Sequence, residues 1–216
     1  MNIIIGGGKY GCKAVEFLRQ HRKDFVVVDP DSNCQAVEKF KLKTSKNIDT
    51  QGEYFLNGDL SLAIMQIEKL NPEYVFPTAP VHIAADMAKI KFELTPWTEA
   101  ISKILQKLPQ VVVLLSGKGK LVLSFNRDHD CVDNCAMPET CPSSGTKKPC
   151  TMTKLMKFAS PEAFILLSHS MAPGMGALKG NELQEFFNWA KTKDKFVVGT
   201  SCDCHGVFSA FKKIKH

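Results

Sequence analysis

The chain opens on Asn2 to Ile5, a β-branched run cut off by Gly6-Gly7-Gly8, which predicts a short buried strand. Ala14, Val15, Phe17 and Leu18 follow at helical spacing, so a helix is expected over Lys13 to Arg22. Phe25 to Val28 reads as a second buried strand ending at Asp29-Pro30, and Ser32 or Asn33 is placed to cap the next helix, through Phe40. Tyr54 to Leu56 and Tyr74 to Phe76 read as further strands, with helices over Leu60 to Leu70 and His82 to Ile90. Strands alternating with helices at this spacing predict a parallel, doubly wound sheet.

Beyond Pro96 the rhythm changes. Thr98 to Leu108 is helical, and Val111 to Leu115 and Lys120 to Phe125 form a hairpin around Ser-Gly-Lys-Gly. An aperiodic stretch rich in Pro, Ser, Gly and Cys comes next. Alternation then returns, with strands at Ala163 to Leu167 and Phe196 to Val198, and helices at Asn181 to Thr192 and Val207 to Lys213. The simplest architecture is one α/β fold, doubly wound, mostly parallel and Rossmann-like. Residues 1–95 are its dinucleotide-binding part, and 96–216 continue the sheet and carry the hairpin and cysteine-rich loop as an insertion at about 110–155.

Gly6, Gly8 and Gly11 complete a G-x-G-x-x-G between a strand and a helix, and Asp29 ends the next strand, eighteen residues past Gly11. Such glycines permit a tight turn, a close approach of backbone to a pyrophosphate and close helix packing, while the acid meets the ribose. Gly6, Gly8, Gly11, Asp29 and, from a later strand end, Thr78 are therefore the candidate NAD(P)-binding residues. Asp29 favours NAD, because a carboxylate repels a 2′-phosphate. IIIGGGKYG, VVVDPD and the NGD at Asn57 to Asp59 fall in an order that resembles the TrkA-N type of NAD-binding domain, over about residues 1–90. That resemblance implies nucleotide binding at Gly6, Gly8, Gly11 and Asp29, without potassium transport. The triple glycine is also similar to the NAD-dependent dehydrogenase of sirohaem synthesis.

The chain has eight cysteines, and Cys131, Cys135, Cys141 and Cys150 fall within twenty residues, spaced C-x3-C-x5-C-x8-C. No leader-like N-terminus or bilayer-length apolar run is visible, so a cytoplasmic chain without a membrane partner is expected. In a reducing compartment such clusters serve metals or redox chemistry more often than disulfides. Structural zinc sites usually use C-x2-C knuckles. The wider spacing here, in a Pro/Gly-rich loop, suits an iron–sulfur cluster first and zinc second. Cys202 is the further candidate ligand. In Cys202-Asp-Cys204-His205, Cys204 or Cys202 is also a candidate nucleophile for thiol catalysis, with His205 or His169 as base, at the N-terminus of an expected helix whose dipole would favour a thiolate. The glycine loop, Pro77 to Pro80, Ser168 to Gly174 and this turn are expected to converge on one sheet edge. Cys12, Cys34 and His82 read as packing or surface residues.

The net charge of +6 comes from scattered lysines, including Lys46, the Lys147-Lys148 pair and Lys215, which are not interleaved with aromatics. A solvated surface is expected rather than a nucleic-acid site. Three functions remain: an NAD(P)-binding redox protein with a metal centre, acting on a small-molecule substrate or a redox partner protein; a nucleotide-sensing module with structural zinc; or a Cys/His thiol enzyme.

Overall fold

A computed structural model describes every residue except 46, 47, 49, 50, 215 and 216. Lys46, Lys215 and His216 thus lie outside the described residues. The chain divides into two compact units, residues 1–91 with 177–185, and residues 92–176 with 186–216.

The first unit follows β1 (Asn2–Ile5), α1 (Lys9–Gln20), β2 (Phe25–Asp29), α2 (Gln35–Phe40), β3 (Lys43–Thr44), β4 (Glu53–Asn57), α3 (Leu60–Leu70), β5 (Tyr74–Pro77) and α4 (Ile83–Phe92). Strands run β5-β1-β2-β4-β3, all parallel. Ile3, Ile4, Val26, Val27, Val75 and Phe76 are each fully buried. Strands covered on both faces have no use for alternation, which is why they read as continuous apolar runs. Each such side chain contributes roughly 1.5–3 kcal/mol by burial. Asp59 caps α3 by accepting from the Ser61 and Leu62 amides, and Asn71 ends it in the left-handed region.

The second unit holds β6 (Leu94–Pro96), α5 (Thr98–Leu105), a 3-10 turn (Gln110–Val112), β7 (Val113–Gly117), β8 (Lys120–Ser124), α6 (Met152–Ala159), β9 (Phe164–Leu167) and β10 (His169–Ala172). The chain then runs through β11 (Met175–Lys179) and α7 (Gly180–Lys191), of which residues 177–185 belong to the first unit, to β12 (Lys195–Ser201) and β13 (His205–Lys213). Leu178 and Lys179 of β11 pair antiparallel with β5 and so make the first sheet mixed. The second sheet runs β7-β8-β13-β12-β9, antiparallel except for β12 with β9. Val197, Phe208 and Ala210 form one core with Ile101 and Ile104 of α5 and Met152 and Met156 of α6. On the opposite strand faces Phe196 packs on Phe211 and on Trp189 of α7.

Two mixed α/β sheets therefore replace the expected single, mostly parallel one. The hairpin is not an insertion: β7 and β8 belong to the second sheet. The expected helix over Val207 to Lys213 is β13. Its apolar residues at 207, 208, 210 and 211 satisfy a helical period as well as a strand with two covered faces, and pairing with β8 on one side and β12 on the other decides for the strand. His82, expected on a helix surface, precedes α4 and is 5% exposed. No helix among the described residues is long and apolar enough to cross a membrane.

Candidate functional site

In the first unit the glycine loop joins β1 to α1. Gly6 has φ +105°, which a side chain rarely tolerates, and a Cβ on Gly11 would lie 2.1 Å from the Gly6 carbonyl oxygen. Both glycines are required by the turn itself. Gly8 is different: a Cβ there would meet nothing within 4 Å. Thr78 Oγ1 donates to the carbonyls of Ile5 (2.9 Å) and Gly6 (2.7 Å), tying the loop to the end of β5. Asp29 accepts from the Gly7 amide at 2.6 Å and from the Asp31 amide at 2.8 Å. Its carboxylate thus shapes the loop. Cys12 and Cys34 are each 7% exposed, as expected of packing residues, and burial raises both thiol pKa values.

In the second unit Cys202, Cys204 and His205 sit in the tight turn from β12 to β13. This turn leads into a strand, so the expected helix dipole is not there to favour a thiolate. Nor do the four loops share one sheet edge, since the glycine and Thr78 loops leave one sheet and the Cys202 turn belongs to the other. The turn is held by backbone bonds from Phe125 to Cys204 O, from Met152 to Asp203 O and from Cys202 to His205 O.

Part of the cysteine-rich loop folds onto this turn. Cys131 Sγ lies 3.5 Å from His205 Nε2, and Cys202 Sγ lies 3.8 Å from His205 Nδ1. The two thiols therefore stand on opposite nitrogens of one ring, an arrangement too wide for both sulfurs to reach a single ion through it. Cys204 is within electrostatic reach of Cys135 and Cys202. Among the described residues no three His, Cys, Asp or Glu side chains form a site for a single metal ion. Cys141 and Cys150 go elsewhere. Cys141 is turned into its own small loop, where the Ser144 hydroxyl and backbone, with Ser143, lower its pKa. Cys150 lines a separate cleft with Ser144, Thr146 and Pro149.

The charges around the turn are set by burial and by one lysine. Burial pushes the Cys204 thiol up, and the Lys148 ammonium, 3.2 Å from its sulfur, opposes this. Part of the His205 ring reaches solvent, yet the chain around it desolvates it enough to lower its pKa, and Lys148 adds to that. A cleft of ≈470 Å³ opens beside the turn, lined by Asn126, Cys131, Thr200, Ser201, Cys202 and His205 among others. His169 begins β10, one residue after Ser168 of the cleft wall.

Sequence reasoning missed Asn126 and Lys148. Asn126 is 5% exposed, donates through Nδ2 to Cys131 Sγ at 3.5 Å and to the His129 carbonyl at 3.0 Å, and leaves Oδ1 without a partner among the described residues. A buried amide follows a hairpin strand in many proteins, and a lysine beside another reads as surface; neither carries a signal in sequence.

The N-terminal domain model of the AF_1314 family, described as that of an uncharacterized protein, matches residues 1–83, and the family's C-terminal domain model matches residues 83–214. The chain belongs to the AF_1314 family. It is similar to an uncharacterized protein of Archaeoglobus fulgidus, 43% identical over 215 residues, which is 99% of this chain and 100% of the relative. No solved structure matches. The AF_1314 match corrects the expected membership of the TrkA-N type: neither that family nor another Rossmann family is found for residues 1–83. The motif that carried the likeness is a strand–turn–helix solution whose Gly6 and Gly11 are demanded by local geometry alone, so it recurs across unrelated families.

Proposed function

We propose that this protein is an electron-transfer protein holding an iron–sulfur cluster on thiolates gathered at the β12–β13 turn, with a nicotinamide dinucleotide bound at the glycine loop. The observation that carries the reading is that Cys131 and Cys202 contact His205, while Cys204 contacts Lys148 and lies within electrostatic reach of Cys135 and Cys202, thiols of two segments some seventy residues apart. Cys131 and Cys202 stand on opposite sides of the ring rather than closed on one point. A cluster has corners farther apart than the ligands of one ion, so that spread suits it better than zinc. Such a cluster supplies one-electron chemistry. The chain's residues would ligate it and neutralise its charge, and the cleft on the Cys131–Cys202 side would admit a small-molecule substrate or one edge of a redox partner protein.

Support for the dinucleotide comes from Gly8. The turn does not require glycine there, and the bare backbone leaves the first turn of α1 open to an anion. A Rossmann-like role for the β5-β1-β2-β4 strands rests on the same reading. NAD carries electrons in pairs as hydride, so a substrate or partner that can hold one electron would stand between the two.

The contact of both His205 nitrogens with thiols favours a second reading, a Cys/His thiol enzyme with Cys202 or Cys131 as nucleophile and His205 as base. Anaerobic reconstitution with ferrous iron and sulfide distinguishes the two. Stoichiometric iron and sulfide with broad absorption near roughly 400 nm supports the cluster. Zinc retained in place of iron supports a structural site, and no metal uptake with rapid single-site alkylation supports the thiol enzyme.

A further inference from the structure

Both tryptophans of the chain, Trp97 and Trp189, lie half-buried at the end of the second sheet where β12 begins and β13 ends. Trp97 follows β6 and packs on the core that holds Val197, with its amide donating to the Ala210 carbonyl. Trp189 packs on Phe196, which points to the opposite face from Val197. The two rings therefore stand on the two faces of the sheet end. Each has an ammonium above it: Lys195 Nζ lies 5.4 Å from the centre of the Trp97 ring, and Lys193 Nζ 5.7 Å from that of Trp189.

Folding gathers further lysines around these rings. Lys195 stands directly opposite Lys212, and Lys213 donates to the Lys191 carbonyl at 3.0 Å. The tip of the β7–β8 hairpin, with Lys118 and Lys120, is tied to the same stretch by a bond from the Ala210 amide to the Gly119 carbonyl. The acids on these segments are Glu93, Glu99 and Asp194. Among the described residues none of the seven lysines forms an ion pair. In the first unit, by contrast, Arg19, Lys23, Lys39 and Lys91 each pair with a glutamate. Like charges directly opposite across two strands destabilise a sheet, so the fold gains nothing from Lys195 facing Lys212.

We propose that this end of the second sheet binds a single-stranded nucleic acid, with phosphates on the lysines and bases on the two tryptophan rings. Phosphates are held by cations, and unpaired bases stack on flat rings. The sequence shows lysines without aromatics between them; the fold interleaves the two. The placement of the rings on opposite faces selects among polyanions. A bilayer or a stiff duplex meets one face, whereas a flexible strand passes around the end and reaches both. The patch lies at the opposite end of β12 and β13 from the Cys202 turn, and the inference does not depend on the function proposed for that turn.

The test titrates the full chain with an oligouridine of about fifteen bases, near the upper site size of one binding fold, and follows tryptophan emission and the anisotropy of a labelled strand. Binding that quenches the emission is expected, with log affinity falling against log salt by about 0.7 for each phosphate contacted. Lys195→Gln with Lys212→Gln removes two contacts, so the slope should drop by about 1.4 while thermal unfolding stays at or above wild type. Lys118→Gln with Lys120→Gln, at the hairpin tip, serves as a second pair if the first does not fold. The same changes at Lys154 and Lys157, exposed on α6, should leave the slope unchanged. Trp97→Phe and Trp189→Phe each leave one reporter, and both variants should still be quenched. Absence of binding at low salt overturns the inference, as does a slope unchanged in a folded lysine pair. Binding without quenching, matched by heparin, overturns it too, because the patch would then hold charge and no base. Tighter binding to the matching duplex or to phosphatidylserine vesicles than to the single strand also overturns it.

Discussion

A Cβ on Gly11 would stand 2.1 Å from the carbonyl oxygen of Gly6, whereas one on Gly8, three residues earlier in the same loop, would touch nothing within 4 Å. The two glycines therefore separate folding from binding. Gly11→Ala should destabilise the first unit by about 1–3 kcal/mol, as overpacking does. Gly8→Val should leave thermal unfolding near wild type and abolish NADH binding. Calorimetry showing equal NADH affinity in Gly8→Val and wild type would remove the dinucleotide from the proposal.

Asp29→Ala removes the acceptor for both the Gly7 and Asp31 amides. A loss of about 1–3 kcal/mol is expected from amides left without their partner. Denaturant unfolding checks it, and an unchanged midpoint would mean that water replaces the carboxylate without cost.

The cysteines divide into two groups. Serine at Cys131, Cys135, Cys202 or Cys204 should cut bound iron to well under half, and serine at Cys141 or Cys150 should leave it near wild type. This changes the sequence-derived set of Cys131, Cys135, Cys141, Cys150 and Cys202 by dropping Cys141 and Cys150 and adding Cys204. Metal analysis of the six variants decides, and loss of iron in Cys141→Ser would restore the original assignment.

Gly206 backs the turn. A Cβ there would come within 2.2 Å of Met156 Sδ and 3.0 Å of Met152 Cγ, both from fully buried side chains. Gly206→Ala should cost about 1–3 kcal/mol and weaken metal retention by displacing the neighbouring His205. At Gly199 the clash is with the Met156 methyl end at 2.7 Å, so Gly199→Ala should cost less. Thermal unfolding of the two variants side by side reads the order, which is wrong if Gly199→Ala unfolds first.

Cys12 and Cys34 have thiol pKa values raised above 9.0, by burial first in both cases. Protons are held more tightly folded than unfolded, so this contribution to stability is complete below pH 9.0 and declines as pH rises through the folded values. At pH 8 both should alkylate far more slowly than Cys141, whose pKa is lowered. Mass spectrometry of partly labelled protein tests this, and labelling of Cys12 at the Cys141 rate would contradict the burial.

What the sequence alone determined is local. Continuous apolar runs such as Ile3 to Ile5 and Phe25 to Val28, cut by glycine or proline, determined the buried parallel strands and the helices between them, because strand burial on two faces and helical periodicity act over a few residues. The glycine spacing likewise determined the shape of the loop, though not a family, since one local geometry serves many. Only the tertiary structure decided the second half. Val207 to Lys213 meets both periods, and pairing with β8 and β12 made it a strand, which removed the expected helix and split one sheet into two. The same pairing decided which thiols meet: Cys202 and Cys204 are fixed by the β12–β13 register, Cys131 arrives by way of Asn126 and His205, and Cys141 is kept in its own turn by Ser144. Lys148 faces that site while Lys147 faces solvent because a ten-residue turn, Glu139 to Lys148, orients them, and contacts between residues far apart in the chain leave no period in it.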